Sequence, residues 1–229
     1  MILIIKNIAQ ELNKMDKSEE LIKRITPLFL ETGYWNLRVD DIAAKLNISK
    51  KTLYIYFDNK KDIIWRVLQN NLNNVEKLAQ ISEESSPNAI ESVISFMNGF
   101  YAYIGTEQDK KNLEELENYY SQILVRYKEA LLGLIQRLLQ RNYERGVREG
   151  YYKPEHNPEY VGRFFSMVYN GNRTMVMPKE NAYSFEKLRI MSVKIIMYGL
   201  VTPEGAEILD GLYASYKHLN PYSPPDPYV

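Results

Sequence analysis

The 229-residue chain contains no cysteine. That excludes disulfide frameworks, thiolate metal sites and cysteine nucleophiles. Histidine is nearly as scarce. His156 sits in a PEHNP loop and His218 lies near the C-terminus, and neither has a ligand-type partner one helical turn away. No metal site is expected. The chain also lacks a Gly-rich phosphate loop and a Gly-x-Ser-x-Gly elbow. Acid pairs such as Glu114-Glu115 read as an exposed helix face. These absences predict a protein that is not an enzyme and needs no cofactor. No apolar run is long enough to cross a bilayer. The opening MILIIKNIAQ is too short and lacks a signal-peptide cleavage pattern. The expectation is a soluble, cytoplasmic protein with no membrane partner.

Net charge is absent too, with 29 basic and 29 acidic residues. Its distribution is uneven. Residues 1–66 hold 12 Lys and Arg against 9 Asp and Glu, and the remainder holds 17 against 20. Positive charge is therefore biased toward the N-terminal end, which favours an anionic partner there. Apolar residues make up 45% of the chain, enough for a sizeable core.

The most informative stretch is GYWNLRVDDIAAKLNISKKTLYIYFDNK, residues 33–60. Val39, Ile42, Ala43 and Leu46 recur at helical intervals and give one apolar face. Asn47 follows where the helix must stop, and Asn tolerates the left-handed backbone that ends helices. Ile48 is expected to be a buried turn residue. Ser49 is a good N-cap for the next helix. Leu53 and Phe57, four apart, face the core with Ile42 and Leu46. Lys50, Lys51, Thr52, Tyr54 and Tyr56 then point elsewhere, where such side chains reach phosphates or base edges. Spacing alone leaves open an ordinary helical hairpin with a solvated polar face.

The order of residues narrows this. The approach helix LIKRITPLFLETGY, the core VDDIAAKLNISKKTLYIYF and the Lys60 that opens the next helix resemble the DNA-binding domain of the TetR (tetracycline-repressor-like) family of bacterial transcription regulators. The match is dense over about residues 18–70. The resemblance implies an all-α fold: an N-terminal three-helix helix-turn-helix DNA-binding domain followed by a larger helical ligand-binding and dimerisation domain. It also implies a homodimer that binds a double-stranded DNA operator and is released by a small-molecule effector. The expected boundaries are 1–62 for the DNA-binding domain (about 18–62, after an N-terminal extension), 63–220 for the second domain and 221–229 for a proline-rich tail.

Three departures from the family pattern stand out. Arg38 replaces the usual Ser or Thr at the cap of the second helix. A cation there opposes the macrodipole, so Arg38 is assigned to DNA. Lys51 replaces a frequent glycine. Pro27 lies inside the approach helix, which predicts a kink or a helix of two parts. The expected DNA-binding set is Arg38, Ser49, Lys50, Lys51, Thr52, Tyr54, Tyr56 and Lys60.

Beyond residue 58 the pattern stays helical. Helices are expected at about Lys60–Ser82, Ala89–Gly105, Asn118–Glu149, Pro158–Met177, Ser184–Gly199 and Pro203–Leu219. EQDKKNLEELE is read as a charged stretch between the second and third of these. By carry-over from the family, the helices at 158–177 and 184–199 pair with their copies. Candidate contacts are Val161, Phe165, Val168, Tyr169, Leu188, Met191, Val193, Ile195 and Tyr198, with intramolecular core as the competing reading. A pocket for an apolar or aromatic effector is expected among Met97, Phe100, Tyr101, Ile104, Tyr120, Leu124, Tyr127, Phe164, Met167, Asn170 and Arg173. Plain core packing competes with that reading too. Two other function classes stay open: a DNA-binding dimer without a small-molecule effector, and a helical ligand-binding protein whose DNA affinity is lost.

Overall fold

In the computed structural model, which describes residues 2–104, 107–174 and 185–215, every element is an α-helix. The helices are α1 (Ile2–Thr32), α2 (Val39–Lys45), α3 (Lys50–Tyr56), α4 (Lys60–Ser85), α5 (Ala89–Ile104), α6 (Glu107–Tyr119), α7 (Ser121–Arg148), α8 (Pro158–Thr174), α9 (Phe185–Leu200) and α10 (Pro203–Ser215). The expected ends of the helices near Met177, Ser184 and Leu219, and the tail 221–229, lie outside the described residues.

The chain forms two discontinuous units, Met1–Val75 with Phe100–Leu131 and Glu76–Gly99 with Leu132–Val229. The sequence reading instead draws one boundary after residue 62. Chain order alone does not show that a later segment returns to the first unit.

The first unit is built on α1 to α3 and the start of α4. Leu21, Ile22, Ile25 and Phe29 of α1 are buried, as are Ile42, Ala43 and Leu46 around α2, Leu53 and Phe57 around α3, and Ile63, Ile64, Val67 and Leu68 of α4. Ile42, Ala43, Leu46, Leu53 and Phe57 are residues whose spacing selected the helical faces, and Val39, selected with them, is half-buried. Ile48, expected to be buried, is half-buried. α1 passes through Pro27 as one helix to Thr32, so it is not divided into two parts. Proline cannot donate to the Lys23 carbonyl. Both residues are exposed, so water satisfies that carbonyl at little cost. One turn is further secured by Thr26, whose hydroxyl donates to the Ile22 carbonyl (2.8 Å) and accepts from Asn70 Nδ2 (3.3 Å).

The stretch 107–119, read as a charged stretch with Glu114-Glu115 on an exposed helix face, is a full helix, α6. Its buried side is narrow, with Asn112 and Leu116 one turn apart, so apolar periodicity barely registers. Tyr120 separates α6 from α7 and its carbonyl accepts from Leu124 N–H (3.0 Å). The long helix therefore begins at Ser121, three residues later than expected.

In the second unit the last turn of α7 organises its neighbours. Arg145 donates to the Glu83 and Ser86 carbonyls (both 3.2 Å) at the C-terminal end of α4. Glu149 pairs with Arg145 (2.6 Å) and accepts the Ala89 N–H that opens α5 (2.7 Å). A cation thus meets free carbonyls and an anion meets a free N–H, the arrangement helix ends favour. Gly150 (φ 81°) then ends α7 in the left-handed region.

α8 packs against α9. Val161, Phe165 and Tyr169 of α8 and Val193 of α9 are buried within the single chain. Val168, Leu188, Met191 and Tyr198 are half-buried. The exposed apolar side chains are Tyr160, Phe164 and Met167 on α8 and Ile195 on α9.

Candidate nucleic-acid interface

The turn between α2 and α3 is closed by local hydrogen bonds. Asn47 adopts φ 55°. The Ile48 N–H donates to the Ala43 carbonyl (3.0 Å) and the Asn47 N–H to that of Ala44 (3.0 Å). This pair is a Schellman closure, and asparagine enters it with less strain than a β-branched residue. Ser49 then caps α3: its Oγ accepts the Thr52 N–H (2.9 Å) and shares a hydrogen bond with Thr52 Oγ1 (2.8 Å). Ser49 and Thr52 therefore shape the helix start before they meet any ligand.

α3 is anchored from beneath by Leu53 and Phe57, both essentially without solvent contact. Lys50, Lys51 and Tyr54 stay exposed, and Thr52 and Tyr56 half-buried. Lys50 Nζ pairs with Asp40 (3.0 Å) in the first turn of α2, across an exposed surface. That contact brings the start of α3 beside the start of α2, two residues from Arg38. Arg38 and Lys51 are exposed, and their side chains have no hydrogen-bond or ionic partner among the described residues. The expected loss of the α2 cap is partly repaired. Arg38 has no side-chain acceptor, but its backbone N–H donates to the Asp41 carboxylate (3.1 Å). Asp40 and Asp41 also offset the helix dipole. The guanidinium is left free to reach an external anion.

Lys60 differs from the other basic residues. Its Nζ donates to the Trp35 carbonyl (3.0 Å) and lies 5.8 Å from the centre of the Tyr120 ring. Burial lowers its pKa, opposed by the charge of Glu115. Sequence reasoning assigned Lys60 to DNA; in the structure it is half-buried and its ammonium is engaged by the Trp35 carbonyl.

The same reasoning missed what surrounds that turn. The Glu115 carboxylate accepts the Trp35 N–H (2.8 Å) and Asn36 Nδ2 (3.2 Å). The Trp35 and Tyr119 rings stack at 3.8 Å and 16°. Gly33 (φ 90°) lies so close that an added Cβ would sit 2.5 Å from Glu115 Oε2. The partners are about 80 positions apart in sequence, and no local pattern connects them.

The expected effector residues divide between the two units. Phe100, Leu124 and Tyr127 are buried and Tyr101 and Tyr120 half-buried in the first. In the second, Met97 is buried, whereas Phe164, Met167 and Asn170 are exposed. The side chains of Ile104 and Arg173 lie outside the described residues. A cavity of about 30 Å³ in the second unit is lined by other residues, among them Ser92, Val93, Phe96, Leu138 and Asn142. Its volume suits a water or two. Among the described residues no cluster of acidic or histidine side chains has metal-binding geometry, and no helix is long and apolar enough to cross a membrane.

Comparison with known proteins agrees with this geometry. Residues 21–67 match the family of bacterial regulatory proteins named tetR. The chain is similar to the biofilm operon icaADBC HTH-type negative transcriptional regulator IcaR of Staphylococcus aureus, with 29% identity over 82 residues, 36% of this chain and 44% of that protein. It is also similar to the HTH-type transcriptional regulator HbdR of Aromatoleum sp. (strain CIB), with 26% identity over 94 residues and 41% of each chain. The chain thus aligns with less than half the length of these curated relatives. The fold extends further. A TetR-family transcriptional regulator from Agrobacterium tumefaciens superimposes over 82% of this chain and all of its own, with a TM-score of 0.57 at 13% identity. Residues 21–67 thus carry a helix-turn-helix that matches the tetR family of bacterial regulatory proteins, set in an all-helical fold shared with solved TetR-family regulators.

Proposed function

We propose that this protein is a sequence-specific DNA-binding transcriptional regulator, acting as a repressor on a near-palindromic operator. The observation that carries the reading is the α3 surface. Leu53 and Phe57 fix the helix from its buried side, while among the described residues Lys51 and Arg38 have no side-chain partner and Lys50 has only an exposed ion pair. A phosphate can replace Asp40 as the partner of Lys50 at small cost, because an exposed pair is weak. In this reading Tyr54 and Thr52 read base edges or sugars, and Arg38, Lys50 and Lys51 contact phosphates.

The test is selection of bound duplexes from a random pool. The expected product is a near-palindrome whose half-sites lie one helical turn or a small multiple apart. A pool that stays random through selection would reject the reading.

The palindrome rests on dimerisation, and the exposed stripe Tyr160, Phe164 and Met167 with Ile195 supports it. Positions 160, 164 and 167 repeat at helical spacing, and large apolar side chains exposed along one helix favour a partner; Ile195 is exposed on the adjoining α9. Val161, Phe165, Tyr169 and Val193 serve the chain's own core, so the pairing face is assigned to the exposed set, bordered by half-buried Val168, Leu188, Met191 and Tyr198. Phe164→Glu with Met167→Glu is expected to convert the protein to a monomer in size-exclusion chromatography with light scattering, with helical content retained. A wild type already monomeric at micromolar concentration would refute the pairing.

Release by a small apolar or aromatic effector is part of the same reading. It is supported by the aromatic and Met content of the body, including Phe100 and Tyr127 in the first unit and Phe96 and Met97 in the second. Such a ligand acts by binding the DNA-incompetent state better, and shifts the equilibrium by no more than that difference.

A further inference from the structure

Lys60 opens α4, where its ammonium would meet a DNA phosphate, yet it is engaged on the protein itself. Three groups hold it: the Trp35 carbonyl at 3.0 Å, the face of Tyr120 at 5.8 Å, and the negative field of Glu115. The Trp35 turn that supplies the carbonyl is gripped in its own right. Glu115 takes its N–H and the Asn36 amide, and Tyr119 stacks on its indole. Glu115, Tyr119 and Tyr120 occupy the last turn of α6 and the residue that ends it. One short segment therefore fixes both the turn and the lysine. All of these residues belong to the first unit.

We propose that this contact is autoinhibitory: the end of α6 withholds Lys60 from the DNA backbone, and displacement of α6 releases it as one more phosphate contact. The inference rests on the DNA-binding reading above. Lys60 can reach a phosphate only by leaving a carbonyl, an aromatic face and a nearby carboxylate together. Among the described residues, Lys51 and Arg38 have no such partners to leave. DNA affinity then depends on where α6 sits, even when α2 and α3 are unchanged.

The test is a salt titration of DNA binding by the full chain, on a selected duplex and on a mixed-sequence duplex. Wild type is compared with Tyr120→Leu and with Glu115→Gln, each with and without Lys60→Met. Glu115→Gln is nearly isosteric and keeps the test alive if Tyr120→Leu folds poorly. One added phosphate contact steepens the slope of log K against log salt by about 0.9 and tightens binding roughly threefold. The expected result is that gain in the released variants, with Lys60→Met costing more slope there than in wild type. An equal cost of Lys60→Met in all backgrounds would show that Lys60 already contacts DNA, and would overturn the proposal. Unchanged slopes in both released variants would overturn it too, while leaving the DNA-binding reading intact. Absence of DNA binding by wild type at every salt would instead remove the DNA-binding reading, and this inference with it.

Discussion

Replacing Gly33 with alanine is expected to lower stability by about 2–4 kcal/mol, from two separable causes. Gly33 sits at φ 90°, where a residue with a Cβ carries about 1–2 kcal/mol of backbone strain. The new Cβ would also fall 2.5 and 2.6 Å from the two Glu115 carboxylate oxygens. Glu115 must then swing away and release the Trp35 N–H and the Asn36 amide. Hydrogen bonds to a charged acceptor contribute about 1.5–3 kcal/mol when shielded, and less at this exposed site. The readout is a thermal midpoint lower by roughly 5–15 °C. The two causes part in a Glu115→Ala background, where only the strain remains and the cost of Gly33→Ala should shrink. A cost independent of Glu115 would mean that the contact with α6 contributes nothing.

Replacing Arg38, Lys50 and Lys51 together with alanine is expected to weaken DNA binding on the order of a hundredfold at physiological salt. Each is exposed, and none supports the core. Arg38 and Lys51 lack side-chain partners among the described residues, and Lys50 has only exposed Asp40. The variant should therefore fold with its thermal midpoint little changed. Three lost phosphate contacts should flatten the salt slope by about 2.7. Selectivity between related duplexes should fall much less, because phosphate contacts position the protein without reading sequence. A variant with wild-type slope would show that α3 and the start of α2 do not face the DNA backbone.

The two expected results draw on features of different legibility. The basic surface was readable residue by residue. Leu53 and Phe57 are four apart, so one side of α3 had to be core and the lysines had to lie elsewhere. The Asn47 and Ser49 closures involve atoms within five residues, and they formed as their chemistry indicates. The Glu115 contact was not readable. α6 buries so narrow a face that its apolar spacing gave no sign of a packed helix, and Lys60 was assigned to DNA without any sign of its partner at Trp35. Phe164 and Met167 were placed beside an effector although they are exposed, while Val161 and Phe165 were offered to a partner although they are buried. Periodicity shows that α8 has apolar sides but not what lies against each one.

What the sequence determined by itself is the helix-turn-helix, its charge and its likeness to the tetR family over residues 21–67, because short-range hydrogen bonds, caps and apolar spacing act within a few residues and need no distant partner. The tertiary structure decided which cations remain free, which apolar faces stay open and where α6 rests. Those outcomes depend on contacts between residues 80 or more positions apart, whose energies exist only once the chain has brought them together.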